Sequence, residues 1–295
     1  ALNGVMDMMS SRNYYGGNFQ IRMLGSDDVL PTITGSYPGN AGAPASDPAF
    51  ANLWNNLFMT IERANILLEN LPRVAMDEKK KGVIRGEGLF LRAYAMFMLV
   101  DMWGPVPINI VPTSGPNDVI RKRQPIQDVY AQILKDMTEA EGLVPTMTLG
   151  GADYGGGGYI AKTTVQGILA RVCLTMAGEP LKDVSKYQDA KDWANKVILS
   201  NEHALNPDYT DIFIRIASDK YDRKEVMWEI DLSLIIGGNE HGNIGSLNGI
   251  GSPDVSFGFS FGQAKITRRL FNAYGGATTN DTRRDWNAAP FYYVT

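Results

Sequence analysis

The sequence is poor in the residues that enzymes and metalloproteins most often use for chemistry. It has one cysteine, Cys173, and two histidines, His203 and His241, among 295 residues. A single cysteine cannot form an internal disulfide, and its apolar helical context predicts a buried structural thiol. The two isolated histidines are too few for a histidine-rich metal site, and neither lies in an HExxH or GxSxG motif. We therefore expect no metal ion and no cofactor.

An excess of basic charge and a long apolar run are also missing. Lys and Arg number 28 against 32 Asp and Glu, which gives a net charge of -4. This balance provides no basic face for nucleic acid. The longest apolar runs, such as 96–100, fall far short of the roughly 20 residues of a membrane-spanning helix. The sequence begins without an initiator Met or a signal peptide, so we expect that a targeting segment has been removed.

What the sequence does contain is helical periodicity. With 44% hydrophobic and 20% charged residues, the composition is that of a globular protein. Apolar residues recur at steps of three and four, which predicts a helical scaffold. The predicted scaffold covers mainly residues 1–24, 49–103, 124–142 and 163–200. Successive helical hairpins favour an α-solenoid of the tetratricopeptide kind, although their spacing is irregular.

The stretch 85–108 is the predicted core helix of this scaffold. Leu91, Tyr94 and Met98 lie on one apolar stripe, and Gly104 with the following proline ends the helix. Arg92 interrupts the apolar surface, so it needs a paired neighbour if the helix is wrapped by others. The periodicity changes at Glu225, where EVMWEIDLSLII predicts a strand.

Sequence motifs in and around the core helix resemble the signature of the SusD/RagB family of outer-membrane nutrient-binding lipoproteins. The core-helix motif here is an acid, an aromatic-Leu-Arg-Ala-Tyr run and a closing Trp-Gly-x-Val-Pro, at Glu87, 90–94 and 103–107. Further similarity lies in Arg63-Ala-Asn of the preceding helix and in the segment 225–230. One departure is Gly88, where the family usually has Ala, at a cost of roughly 1 kcal/mol in a helix.

The resemblance implies a mostly α fold, in which a tetratricopeptide-like, SusD-like scaffold of helical hairpins carries long irregular loops and a few short strands. It implies one domain over residues 1–295 that continues beyond both ends of this sequence, with loop-rich, ligand-side segments at 25–48, 146–162 and 237–295. It also implies a non-enzymatic protein that binds oligosaccharide outside the cell. By the same resemblance, an upstream lipid anchor holds it to the outer membrane, as the lid of a SusC-like TonB-dependent transporter.

Candidate ligand residues come from the loops. Sugar rings stack their C–H faces on aromatic side chains, and their hydroxyls need polar partners. Gly-, Asn- and aromatic-rich loops therefore suit an exposed glycan site. The candidate residues are Tyr37, Asn40, Tyr154, Tyr159, Phe257 and Phe259. The loops show no residue-level match to the family, so these candidates rest on residue chemistry alone.

Two other functions remain open at this point. The same loops suit peptides or another nutrient, as in RagB-like members. A glycan-cleaving enzyme needs only two suitably separated carboxylates, and the pairs Asp27/Asp28 and Asp281/Asp285 lie in loop-like segments. Acid pairs cap loop amides far more often than they cleave bonds, so we expect no catalysis. The glycines at 155–158 lack the context of a phosphate-binding loop.

Overall fold

A computed structural model describes residues 1–17, 28–31, 46–118, 120–150, 158–218, 220–230, 232, 249–254, 256, 258–275 and 281–289. The helices are α1 Leu2–Ser10, α2 Pro48–Asn70, α3 Glu78–Trp103, α4 Ile126–Leu143, α5 Met147–Gly150, α6 Lys162–Ala177, α7 Lys186–Ser200, α8 Tyr209–Ala217, α9 Arg268–Ala273 and α10 Arg283–Asn287. The strands are β1 Val29–Pro31 and β2 Ala264–Ile266. The mostly α prediction is confirmed.

The chain divides into two compact units. The first comprises Ala1–Met9 and Asn56–Asp231, and the second comprises Ser10–Asn55 and Leu232–Thr295. The first unit contains the predicted core helix and its partners, and the second contains the two strands and the last two helices. The prediction of a single domain that continues past both ends stays a prediction.

Helix α3 begins and ends where its flanking residues predict. The Asp77 side chain accepts a hydrogen bond from the Lys80 amide at 2.9 Å, which caps the N-terminus. At the other end Gly104 adopts a φ of 67°, a left-handed conformation that glycine enters without strain. All residues from 86 to 100 are buried, so this helix is surrounded on every side over four turns, as its apolar sequence requires.

The first unit is built from consecutive helical hairpins. Helix α3 packs along α4, α6 packs along α7, and α4 also contacts α6. Helix α2 lies against α3 near Gly88, where an added Cβ would come within 3.1 Å of Leu67 Cδ2. Glycine at this position therefore allows a close approach of the two helices, in addition to the loss of helix propensity that the sequence indicates.

The buried arginine of α3 has the partner that its burial demands. The Arg92 guanidinium donates to both carboxylate oxygens of Asp136 on α4, at 2.8 and 2.9 Å. It also donates to Asn65 Oδ1 on α2 at 2.9 Å. Gln132 donates to the same carboxylate at 2.8 Å. The three helices α2, α3 and α4 are thus joined by one polar network with a paired charge at its centre.

The connection after α3 is held by side chains of the helices. Asn65 Nδ2 donates to the carbonyl oxygens of Asn109 and Val111, at 3.2 and 3.0 Å. Arg92 donates to the carbonyl of Ile110 at 3.1 Å. The Glu62 carboxylate accepts from the amide and the hydroxyl of Thr113. The connection after α3 is therefore irregular but fixed against α2 and α3.

The strand predicted from Glu225 is wrong over residues 225–230, which have no strand structure. The residues of this segment contact helices, not another strand. The Trp228 ring meets the rings of Phe90 and Tyr94 edge to face, at centroid distances of 5.3 and 5.4 Å. Thr164 on α6 donates its hydroxyl to the carbonyl of Met227 at 2.7 Å. Apolar residues at every second position of this segment pack against the helices. The sequence therefore shows the alternation that is typical of a strand, although no strand forms.

The serine before α7 does not cap the helix, although serine is a favoured N-cap residue. Ser185 occupies the N-cap position but makes no side-chain cap hydrogen bond. Its hydroxyl donates instead to the Asp183 carboxylate. The side chain is thus used in the preceding turn, a local competition that is common for serine.

The strands of the second unit form a two-stranded antiparallel ladder. Val29 pairs with Ile266, Leu30 with Lys265 and Pro31 with Ala264. The Thr267 amide extends the ladder by donating to the Asp28 carbonyl at 2.8 Å. The Thr267 hydroxyl then accepts from the Leu270 amide and caps α9. Helix α9 therefore begins at Arg268, directly after a short strand, within a segment that the sequence predicted to be rich in loops.

Candidate functional site

A backbone bridge in the second unit lies beside the candidate aromatic site. Ser252 and Ser260 exchange two backbone hydrogen bonds, of 2.8 and 3.0 Å, in an antiparallel bridge. Both serines are buried. The Asp254 carboxylate accepts from the Ser256 amide and hydroxyl, and these bonds hold the pKa of that carboxyl below its usual range. The bridge fixes the two arms of the turn relative to each other.

Glycine is required where the turn closes. Gly262 has a φ of 59°, and an added Cβ would lie 2.9 Å from Gly251 Cα. Both the backbone conformation and the backbone contact exclude a larger residue at this point. Gly258 also has a positive φ, of 85°. The path of the chain on either side of Ser260 is thus set by two glycines.

Phe259 and Phe261 flank the buried Ser260. In an extended segment, residues two apart lie on the same face, so burial of Ser260 directs both rings to the other side. The rings meet edge to face with centroids 4.6 Å apart and planes at 85°. Their exposed fractions are 47% and 56%. Both rings are therefore exposed to solvent and held in a fixed orientation relative to each other. Such an arrangement suits stacking of a sugar ring.

A second aromatic group of this unit lies on α9 and α10. Arg284 lies 5.6 Å from the Phe271 ring centroid, and Arg283 lies 5.6 Å from that of Tyr274. Trp286 is exposed. Guanidinium groups beside aromatic faces offer both stacking and hydrogen-bond donors. Phe261, Phe271 and Trp286 are not among the residues predicted from the sequence, and the last two lie in short helices that residue chemistry alone did not single out.

Asp281 and Asp285, the acid pair considered for glycan cleavage in this region, each accept hydrogen bonds from an arginine. Asp281 accepts from the Arg283 guanidinium at 2.8 Å, and this bond lowers its pKa to about 2. Asp285 accepts from Arg284 at 2.8 Å. A general acid for glycoside cleavage needs a raised pKa and an accessible proton. Asp281 has the opposite electrostatic environment, so it fits a capping role at the start of α10.

Tyr159 lies in the first unit, at the end of the glycine-rich segment. Trp228 Nε1 donates to the Gly158 carbonyl at 3.2 Å, and the Ile160 amide donates to Glu87 Oε1 at 3.3 Å. The backbone on both sides of Tyr159 is therefore attached to the scaffold. The tyrosine lines an apolar groove together with residues of α2 and α3.

The other predicted site residues cannot be placed in the same way. Tyr37, Asn40, Tyr154 and Phe257 lie outside the described residues. Tyr159 and Phe259 are described, and they belong to different units. The joint role of the six candidates in binding stays a prediction.

Titratable side chains elsewhere have structural partners. His203 lies 2.8 Å from Thr163 Oγ1 and 3.1 Å from the Lys224 carbonyl. Cys173 is buried, as predicted, and burial raises its pKa to about 11. Within the described ranges, no group of three His, Cys, Asp or Glu residues is arranged to hold a metal ion. Over the same residues, no helix has the length and apolarity to cross a membrane.

Comparison with known proteins assigns the fold and the family. The model of a SusD-like family, described as starch-binding and associating with the outer membrane, matches residues 6–152. The chain belongs to the SusD/RagB family. It is 23% identical to the SusD-like protein P38 of Formosa agariphila, over 72% of this chain and 40% of that protein.

Solved structures share the architecture. A SusD homologue from Bacteroides thetaiotaomicron is 24% identical with a TM-score of 0.83, covering 92% of this chain and 53% of that one. A laminarin-binding SusD-like protein is 23% identical with a TM-score of 0.74, covering 96% and 64%. The SusD-like fold predicted from the core-helix motif is therefore confirmed. The chain spans about half the length of the curated relatives it matches.

Proposed function

We propose that this protein binds an oligosaccharide at the cell surface without cleaving it. The observation that carries the proposal is the exposed, edge-to-face pair of Phe259 and Phe261 on a turn fixed by the Ser252–Ser260 bridge. Sugar C–H faces stack on such rings, and a preordered pair loses little conformational freedom on binding. The family, and the laminarin-binding relative within it, support a glycan as the ligand class.

The absence of cleavage in this proposal rests on the acid pair Asp281 and Asp285, since Asp27 of the other predicted pair lies outside the described residues. Asp281 and Asp285 are each engaged by an arginine, and the lowered pKa of Asp281 leaves no proton to donate near neutral pH. Binding energy from stacking and hydrogen bonds then holds the ligand unchanged. Hydrolysis products after prolonged incubation with a bound glycan would contradict this part of the proposal.

A titration with a panel of soluble glycans tests the binding. Laminarin, xyloglucan and starch oligosaccharides are titrated into the protein by calorimetry, with a peptide mixture as the alternative nutrient. We expect saturable binding of at least one glycan, and a loss of at least tenfold in affinity for Phe261→Ala. Tyr187→Ala is the matched control, because Tyr187 is equally exposed but lies on the scaffold helix α7. Binding of peptides alone, or equal affinity of Phe261→Ala, would contradict the proposal.

We infer further that the protein acts as the lid of a SusC-like TonB-dependent transporter, held to the outer membrane by an upstream lipid anchor. Membership of a family described as associating with the outer membrane supports this inference. Affinity purification of the full-length protein from detergent-solubilised native membranes tests it. Recovery of an outer-membrane transporter in stoichiometric amount is expected, and recovery of the protein alone from the soluble fraction would contradict it.

A further inference from the structure

The groove beside Tyr159 differs chemically from a sugar site. It encloses about 1240 Å³ within the first unit. This volume exceeds the roughly 300–1,000 Å³ of common small-molecule pockets. The walls are aliphatic and include Ile66, Val74, Met76, Ile84, Leu143 and Val144. Tyr159 is the one aromatic side chain among the described lining residues, and the rest of the apolar wall is aliphatic, so the groove suits a flexible apolar chain better than a glycan.

Two lysines carry the positive charge at the groove. Lys79 and Lys80, in the first turn of α3, both line it and both are exposed. Lys81, next in sequence, is paired with Glu78, whereas neither Lys79 nor Lys80 forms an ion pair with another described residue. They remain available to an anionic group at the edge of an apolar surface.

The acids of the groove are already engaged. Asp77 caps α3 by accepting from the Lys80 amide. Glu87 is buried and accepts from the Ile160 amide. Both carboxylates keep their negative charge, but neither forms an ion pair with Lys79 or Lys80 in the described residues. The groove therefore combines an apolar wall with two unpaired ammonium groups at its exposed edge.

The exposed apolar surface is too small for a protein partner. Ile66, Val74 and Met76 are between 37% and 46% exposed, while Leu67, Leu71 and Val144 are almost fully buried. A stable protein interface needs roughly 800 Å² on each side. Among the described lining residues, only these three large apolar side chains are exposed rather than buried or half-buried, and their surface falls well below that size. The groove therefore suits a small ligand better than a protein partner.

We propose that this groove binds a single-chain anionic amphiphile. The alkyl chain lies along the aliphatic wall between α2 and α3, and the carboxylate or phosphate head lies beside Lys79 and Lys80. The groove shares no lining residue with the aromatic turn of the second unit, so the inference does not rest on the proposed glycan function.

Alkyl carboxylates and phosphates of 8 to 16 carbons, kept below their critical micelle concentrations, are the probes. Calorimetry is expected to give one site per chain and an affinity that rises about fourfold per added methylene until the groove is filled. Tetradecyltrimethylammonium, with the same chain and the opposite charge, is expected to bind at least tenfold more weakly than tetradecanoate.

Substitutions test the lysine edge and the aliphatic wall of the groove separately. Lys79→Glu with Lys80→Glu should weaken tetradecanoate binding at least tenfold, and Val74→Asp should abolish it. Lys191→Glu and Val184→Asp are matched controls, because both residues are exposed and lie outside the groove. Circular dichroism verifies that each variant is folded.

Affinity that is unchanged in the groove variants, equal binding of the cationic amphiphile, or no saturable binding of any probe would overturn the proposal. Glycan affinity is measured in parallel and should be the same in all groove variants. Loss of glycan binding together with amphiphile binding would overturn the separation of the two sites.

Discussion

Arg92 and Asp136 form a two-pronged ion pair across the interface of α3 and α4, with 8% and 3% of their side chains exposed. The pair is completed by Asn65, Gln132 and the carbonyl of Ile110. In the first unit it joins three helices and the following connection at one point. The arginine of the family motif thus has a structural role that is independent of any ligand.

Asp136→Ala should destabilise the protein strongly, because it leaves the Arg92 charge buried without its partner. Removal of one member of a buried pair costs about 3–5 kcal/mol. Urea unfolding followed by circular dichroism measures the change. Glu139→Ala removes the exposed Arg85–Glu139 pair at the same helix interface and should change the free energy of unfolding by less than about 1 kcal/mol. Equal effects of the two variants would contradict the assigned role.

Gly86→Ala should destabilise the α3–α4 interface. An added Cβ would lie 2.9 Å from Leu143 Cβ and from Val144 Cγ1, and Leu143 Cβ cannot move without its backbone. Overpacking of this kind costs about 1–3 kcal/mol, which exceeds the gain of roughly 1 kcal/mol in helix propensity. Gly82→Ala is the control one turn earlier, since its Cβ would meet Leu143 Cδ2 at an ordinary 3.8 Å. Thermal unfolding should therefore shift down for Gly86→Ala and up for Gly82→Ala, and a stabilised Gly86→Ala would refute the close contact.

Asp281 should titrate near pH 2 in the folded protein. The Arg283 guanidinium lowers the pKa of this carboxyl to about 2, whereas an unfolded Asp titrates near pH 3.9. Because the pKa of Asp281 is lower in the folded state than in the unfolded state, its interaction with Arg283 stabilises the folded protein above about pH 4. This stabilisation is lost as the pH falls through about 2. NMR titration of the carboxyl carbon measures the midpoint. Arg283→Ala should raise the titration midpoint of Asp281. Arg284→Ala should leave that midpoint unchanged, because Arg284 pairs with Asp285. A midpoint near pH 4 in the unmodified protein would contradict the prediction.

Gly262→Ala should weaken glycan binding without removing an aromatic ring. The substitution places a Cβ against Gly251 and requires a positive φ, so the turn that orients Phe259 and Phe261 must change. An affinity loss of about tenfold by calorimetry is expected. Gly115→Ala is the control, since its Cβ would meet open space in the first unit. Unchanged affinity of Gly262→Ala would show that the fixed orientation of the pair is not needed.

The helical scaffold could be predicted from the sequence because its signals are local. The apolar stripe of α3, the Asp77 cap and the Gly104 stop all lie within one segment. Burial of Arg92 indicated that a partner was needed. Its identity could not be predicted, because Asp136 lies 44 residues away and the pairing depends on how α3 meets α4.

Predictions failed where a local pattern has two physical origins. The alternation from Glu225 indicates a strand, but Trp228 is placed by the aromatic residues of α3. β1 and β2 are three residues each, too short to produce a period. In the candidate site, Phe259 could be predicted from its loop, whereas its pairing with Phe261 depends on the buried bridge of Ser252 and Ser260, which has no signature in the sequence.

The connection at residues 109–113 has a consequence for how this scaffold can diverge. Its position is fixed by Glu62, Asn65 and Arg92, which are set in helices before the connection begins. The chain beyond Thr113 is not needed to keep those bonds. An insertion between Ser114 and Arg123 would lengthen a loop without removing those bonds, so its cost should be limited to the small added entropy of loop closure.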